Sequence, residues 1–257
     1  MKRIFPVLLA LLLLCAALPA QAASKASPTP PPQEIETEVI RTVPEEIQNV
    51  LDIAYQDWET IYGKAQKNPN KYTKWRNNGK FGWCGGFITW CMLEAGIPQA
   101  EWAKTEIGEV EGVRHVKEAG VGKLVTGYLR MYRTTMTPQK GFIMVYGKKG
   151  STGLWHVGLV YDVEKLENGK YRLTTIEGNV GNSVRMFIQD YDPNVKKKDN
   201  LSAVPKDERT REETKGFSYK HNYGVKDLYV NMFLMPWVPD QYPELTAETA
   251  EGGAAAE

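Results

Sequence analysis

Residues 83–91 read Trp83-Cys84-Gly85-Gly86-Phe87-Ile88-Thr89-Trp90-Cys91. The spacing predicts a helix over 83–95: Phe87, Ile88, Cys91, Met92 and Ala95 fall on one apolar face, and Gly96 with Pro98 ends it. Cys84 then stands in the first turn. There the positive end of the helix dipole favours a thiolate, and free backbone N–H groups can hold a developing oxyanion. A nucleophilic cysteine needs both; a small buried residue that only packs is the other reading of Cys84. Cys91, on the apolar face, reads as core. The two cysteines are about 10 Å apart at 1.5 Å of rise per residue, too far for a disulfide, which needs Cα atoms within about 7 Å.

Outward from this segment the pattern is helix first and strands later. Upstream, Thr42 and Glu45 can form a capping box with Pro44 in the first turn. Ile47, Val50, Leu51, Ala54, Tyr55, Trp58 and Ile61 then follow helical spacing, and Gly63 is a plausible stop. Residues 68–82 read as a polar loop. Downstream, residues 121–132 are a further candidate helix. After Pro138 the signal changes, and strands are expected over 141–146, 156–163, 171–177, 184–188 and 228–235, with Asn168-Gly169 marking a hairpin turn. Residues 192–224 are polar and charged and read as a long insertion before the last strand. A cluster of helices followed by an antiparallel sheet is an α+β arrangement.

A thiol nucleophile needs a base, and the chain has three histidines. His115 lies among Glu111, Arg114, Lys117 and Glu118 and reads as a solvated surface residue; His221 lies in the polar insertion. His156 opens an apolar strand, His156-Val157-Gly158-Leu159-Val160, from which it can face a cleft; a hydrogen-bonded structural histidine is the other reading. The base in turn needs a group that orients it. Glu177 and Asn179 close the neighbouring strand, in Thr175-Ile176-Glu177-Gly178-Asn179. A loop over 164–169 sets His156 directly opposite Glu177, whereas a two-residue Asn168-Gly169 turn sets Glu177 opposite Val160. Both registers put His156 and Glu177 on one face, because opposed residues share a side and side chains alternate along a strand. Only the longer loop brings them into contact, and the residues leave the choice open. A solvent-facing strand end is the other reading of Glu177.

The 257 residues suffice for one sizeable domain, and 32 basic against 31 acidic side chains argue against nucleic acid or an anionic membrane surface as the main partner. Lys196-Lys197-Lys198 reads as a solvated loop. There is no HExxH, paired CxxC or EF-hand pattern, and residues 147–153 hold glycine and lysine without the phosphate-loop order, so no metal or cofactor is expected. Residues 1–22 read as an export signal. Lys2 and Arg3 precede an apolar stretch too short to span a bilayer, and Ala20-Gln21-Ala22 invites cleavage after Ala22. Lipidation at Cys15 is the alternative, weakened by Leu14 before it. The expected product is an exported monomer in the periplasm, cell envelope or exterior, without a membrane span. It keeps only Cys84 and Cys91, and free thiols in an oxidising compartment suggest a reactive one. Residues 23–41 read as a Pro-rich tether, 42–240 as one domain, and 241–257 as a disordered tail.

Lys71-Tyr72-Thr73-Lys74-Trp75, the Trp83 to Cys91 segment, the His156 strand and Ile176-Glu177-Gly178-Asn179 together resemble, in that order, the core of the CHAP domain, the cysteine- and histidine-dependent amidohydrolase/peptidase family. The resemblance implies a papain-like fold, N-terminal helices packed on an antiparallel sheet. It implies Cys84 as nucleophile, His156 as general base and later acid, Glu177 orienting the imidazole, and Asn179 supporting it or the site. Peptidoglycan or a muropeptide is the implied partner, cut between glycan and peptide or within the peptide. Tyr72 is similar in position to a cleft-lining tyrosine of the related NlpC-type endopeptidases, and Trp83 and Trp155 are further candidates to wall the cleft; packing is the other reading of all three. Gly141-Phe142 departs from the acidic residue that many relatives carry after that glycine, and the insertion at 192–224 could cover the cleft. A CHAP-like module that binds muropeptides without cutting them is the alternative, against which the intact Cys84, His156, Glu177 and Asn179 speak.

Overall fold

The apolar spacing upstream forms helix α1 (Glu45–Ile61), which buries Ile47, Val50, Leu51, Ala54 and Trp58. The expected capping box is not used. Pro44 is the N-cap, no side chain caps the helix, and Glu45 and Glu46 complement its positive end instead. The computed structural model describes residues 42–62, 64–76, 79–151, 153–221 and 227–245. The expected export signal with Cys15, the tether, Gly63 and residues 246–257 of the expected tail lie outside them.

Inside the expected polar loop there is a single helical turn, α2 (Lys71–Lys74), capped reciprocally by Asn70 and Thr73. One turn is too short to leave a periodic signature. Helix α3 (Cys84–Glu94) is more deeply set than one apolar face implies: Cys84 to Thr89, Cys91 and Met92 are all buried. It lies between α1 and α2 on one side and the sheet on the other. Gly178 makes the closest part of that packing possible, because a Cβ there would sit 2.3 Å from Phe87 Cβ.

Strands β1 (Gln99–Ala100) and β2 (His115–Val116) form a small parallel pair before α4 (Val121–Arg130). His115 is not a solvated residue. It is 1 % exposed, its Nε2 lies 3.0 Å from Thr89 Oγ1 and its Nδ1 2.9 Å from Tyr128 Oη. Burial lowers its pKa to about 3, so it is a neutral core histidine. β2 buries both its residues although Glu111 and Lys117 on either side are exposed, and Glu118 is itself buried.

The main sheet comprises β3 (Thr134–Thr135), β4 (Ile143–Lys148), β5 (Leu154–Lys165), β6 (Tyr171–Val180), β7 (Ser183–Tyr191), β8 (Leu201–Ala203), β9 (Phe217–Ser218) and β10 (Leu228–Leu234). The order is β3-β10-β4-β5-β6-β7-β8, antiparallel throughout, with β9 added in parallel to β7. This is the expected α+β class. The insertion supplies β8 and β9, and it is a part of the sheet rather than a separate flap. Asn200 beside β8 exchanges two hydrogen bonds with the Val230 backbone, 3.0 and 2.9 Å, so the sheet curls until its far end meets β10.

The β5–β6 register matches neither expected loop. Leu166 N and Gly169 N close a tight loop in which Gly169 takes φ +80°, and Glu164 pairs with Arg172. A bulge between Val160 and Asp162 then shifts the ladder, so that Leu159 pairs with Ile176. Continued one step, this sets Glu177 opposite Gly158.

Candidate active site

That register puts Glu177 diagonally across from His156, on the same face of the sheet. The reach between them depends on Gly158. A Cβ at that position would lie 2.8 Å from Glu177 Cγ, so only a residue without a side chain lets the glutamate lie across β5. Glu177 Oε2 then meets His156 Nε2 at 2.8 Å. On the next strand Tyr146 pairs with His156, and its hydroxyl donates to Glu177 Oε1. Thr175 Oγ1 donates to the same Oε1 at 2.7 Å.

The fourth partner is His221, whose Nε2 lies 3.1 Å from Glu177 Oε2. It follows β9 in the insertion, and the sheet extension brings it back to the site. Its ring stacks on Phe187 with centroids 4.6 Å apart. Sequence reasoning passed over it because the surrounding residues are polar and the pairing of β9 with β7 has no local signature. Glu177 is therefore fully buried yet contacted by two hydroxyls and two imidazoles. Burial would push its carboxyl up, but the charge of His221 and hydrogen bonds from both histidines hold it well below the ordinary carboxylate range.

Held through Nε2 on Glu177, His156 is also the side chain that acts most strongly on the Cys84 thiol. Burial alone would lower the imidazole pKa; the hydrogen bond and charge of Cys84, with those of Glu177, outweigh it and raise the value to about 10. Burial would likewise raise the Cys84 thiol, but His156 first, then backbone groups of Gly85 and Val157, bring it below the ordinary value. The result favours a thiolate–imidazolium pair at the start of α3. Cys91 differs: burial, with the nearby charge of Asp57, pushes its thiol well above the ordinary value. Both cysteines are free.

The other expected site residues fall in different places. Asn179 takes φ 64° at the end of β6, and its Nδ2 lies 3.6 Å from where a Cβ on Gly82 would stand, beside the entry to α3. Trp155 is 49 % exposed next to His156, with Lys148 Nζ 4.4 Å from its ring centre. Tyr72 and Trp83 are buried and stacked, ring centres 4.6 Å apart, and Tyr72 donates its hydroxyl to Asp57. They pack behind α3 and have no open surface for a substrate.

His156, Glu177 and His221 also have the composition of a metal site, with one ligand atom from each lying within 4.8 Å of the others. Both Nε2 atoms, however, sit at hydrogen-bond distance from one oxygen. That is the geometry of shared protons, and the ring of His156 is already committed to the thiol. No helix among the described residues is long and apolar enough to cross a membrane.

Among protein families, the one described as the CHAP domain matches residues 74–179. The match takes in Cys84, His156, Glu177 and Asn179 and stops before His221. No curated protein and no solved structure matches the chain.

Proposed function

From the premise that residues 74–179 are a CHAP domain, a kind of domain that points to peptidoglycan amidase or peptidase activity, we propose that this protein is an exported, papain-like cysteine hydrolase of peptidoglycan amide bonds. The observation that carries the reading is the continuous chain from Cys84 through His156 to Glu177 at the head of a buried helix.

The chemistry follows from those groups. The Cys84 thiolate attacks the amide carbonyl carbon, and the carbonyl electron pair moves to oxygen. In this reading backbone N–H groups of the first turn of α3 stabilise that oxyanion, and Asn179, beside the entry to α3, supports the site. The imidazolium of His156 gives its proton to the leaving amine as the C–N bond breaks, which leaves a thioester on Cys84. His156, now neutral, takes a proton from water as the water oxygen attacks the thioester, and the acid leaves with Cys84 restored as the thiolate. Glu177 keeps the ring in one orientation and stabilises its charged state, and His221 holds Glu177 from the other side.

The test is digestion of purified peptidoglycan by the protein beside its Cys84→Ala variant, with mass spectrometry of the soluble products. Fragments released only when Cys84 is intact are the expected result, and their masses identify the bond. Release that is equal with both proteins, or absent with both across several wall chemistries, would overturn the reading.

A further inference from the structure

Beside the nucleophile's helix lies a pocket of about 340 Å³ lined by Trp75, Arg76, Trp102, Lys117 and Lys123 with two glutamates, Glu101 and Glu118. Its wall is part of the catalytic packing. A Cβ on Gly85, the residue after the nucleophile, would meet Ala119 O at 2.5 Å, and Thr89 of α3 donates to Glu118 O at 2.8 Å. Segment 117–120 is therefore pressed against the first turns of α3.

The acidic groups in this lining are already satisfied. Glu118 is 4 % exposed; its Oε1 accepts the Ala119 and Gly120 N–H groups at 3.0 and 3.3 Å and is paired with Arg76. Glu101 is paired with Lys104 at 2.9 Å. Lys117 and Lys123 are exposed and form no salt bridge among the described residues. Trp75 keeps a buried indole N–H that has no partner among them either. The groups left over are thus donors and cations, flanked by two half-buried indole rings, with Lys123 Nζ 5.8 Å from the Trp102 ring centre. That chemistry suits an anion carried on an aliphatic chain: ammonium groups for the charge, ring faces for the carbons.

We infer that this pocket binds a carboxylate-bearing part of the wall peptide and so sets which stem is presented to Cys84. The inference rests on the hydrolase reading above.

The test compares two muropeptide preparations, one with free stem carboxylates and one with those carboxylates amidated, on the protein and on a Lys117→Gln/Lys123→Gln double variant. For the unaltered protein KM is expected to be lower on the free-carboxylate preparation. The double variant should raise KM on that preparation by about fivefold, as expected for losing two exposed charge contacts, with kcat and the alkylation rate of Cys84 unchanged. KM on the amidated preparation should stay where it was. Trp102→Ala should raise KM on both, since stacking does not read charge. If the double variant keeps the unaltered KM, or loses equally on both preparations, the carboxylate assignment is wrong while the hydrolase reading stands. If the unaltered protein cuts neither preparation, the hydrolase reading fails and takes the pocket's role with it.

Discussion

Gly158 and Glu177 lie so close across strands β5 and β6 that a methyl group on Gly158 would stand 2.8 Å from Glu177 Cγ and 3.0 Å from its Oε1. The carboxylate reaches His156 only through the space this glycine leaves. Gly158→Ala should therefore displace Glu177 and lower hydrolysis at least tenfold, with a stability loss of about 1–3 kcal/mol from overpacking. Thermal unfolding and turnover of the same preparation check this. Unchanged turnover would mean that the Glu177–His156 contact is not needed.

The thiolate–imidazolium pair can be read by alkylation. Iodoacetamide should label Cys84 with a rate that titrates below the ordinary thiol range near 8.5. His156→Ala should move that titration up, because the group that outweighs burial is then gone. Cys91 should stay unlabelled in the folded protein, since burial pushes its thiol the other way. On the alkaline side, hydrolysis should fall as the pH passes about 10, where His156 loses its proton. Peptide mapping after labelling at a series of pH values tests the first three statements.

Glu177→Gln keeps the shape of the side chain and removes its charge. By analogy with other triads, the loss in turnover should be about 10³- to 10⁴-fold. The pH dependence of stability should change as well. A carboxyl held below its ordinary value stabilises the fold above that value, and the contribution is lost as the pH falls through the folded value. An imidazole raised to about 10 stabilises the fold fully below its ordinary value near 6.5, and the contribution is lost as the pH rises through about 10. Denaturant titrations at pH 3, 7 and 10 should show the unaltered protein losing more stability than Glu177→Gln towards either extreme.

His221→Ala removes one of the two imidazoles on Glu177 Oε2. One hydrogen bond to a charged group corresponds to about 1.5 kcal/mol, so turnover should drop about tenfold. A merely structural histidine would lower the amount of folded protein and leave the pH profile alone. A positioning role shifts the Cys84 alkylation profile upward, and His221→Gln, which can still donate to Glu177, should restore part of it.

Much of this was legible in the sequence. Helices α1, α3 and α4 and the five long strands follow from apolar spacing, and position in those elements points to Cys84, His156 and Glu177. What escaped was non-local. The β5–β6 register depends on a bulge between Val160 and Asp162 that no residue announces. His115 has charged neighbours but lies under α4, where Tyr128 and Thr89 claim its ring. Tyr72 has a suggestive spacing from Cys84, yet Asp57 on α1 takes its hydroxyl. Trp75 and Trp102 carry no spacing signal, and only the folded chain gathers them around one pocket with Lys117 and Glu118.

The pairing of β9 with β7 has a practical consequence for anyone trimming this protein. Residues 74–179 look like a self-sufficient catalytic cassette, because they hold Cys84, His156, Glu177 and Asn179. A graft or minimal version cut to those limits would lose β7 itself, the strands β8 and β9 that pair with it, β10 on the far side of β4, and the histidine that faces Glu177. The boundary between the stretch that matches the CHAP domain and the rest of the chain runs through one carboxylate oxygen.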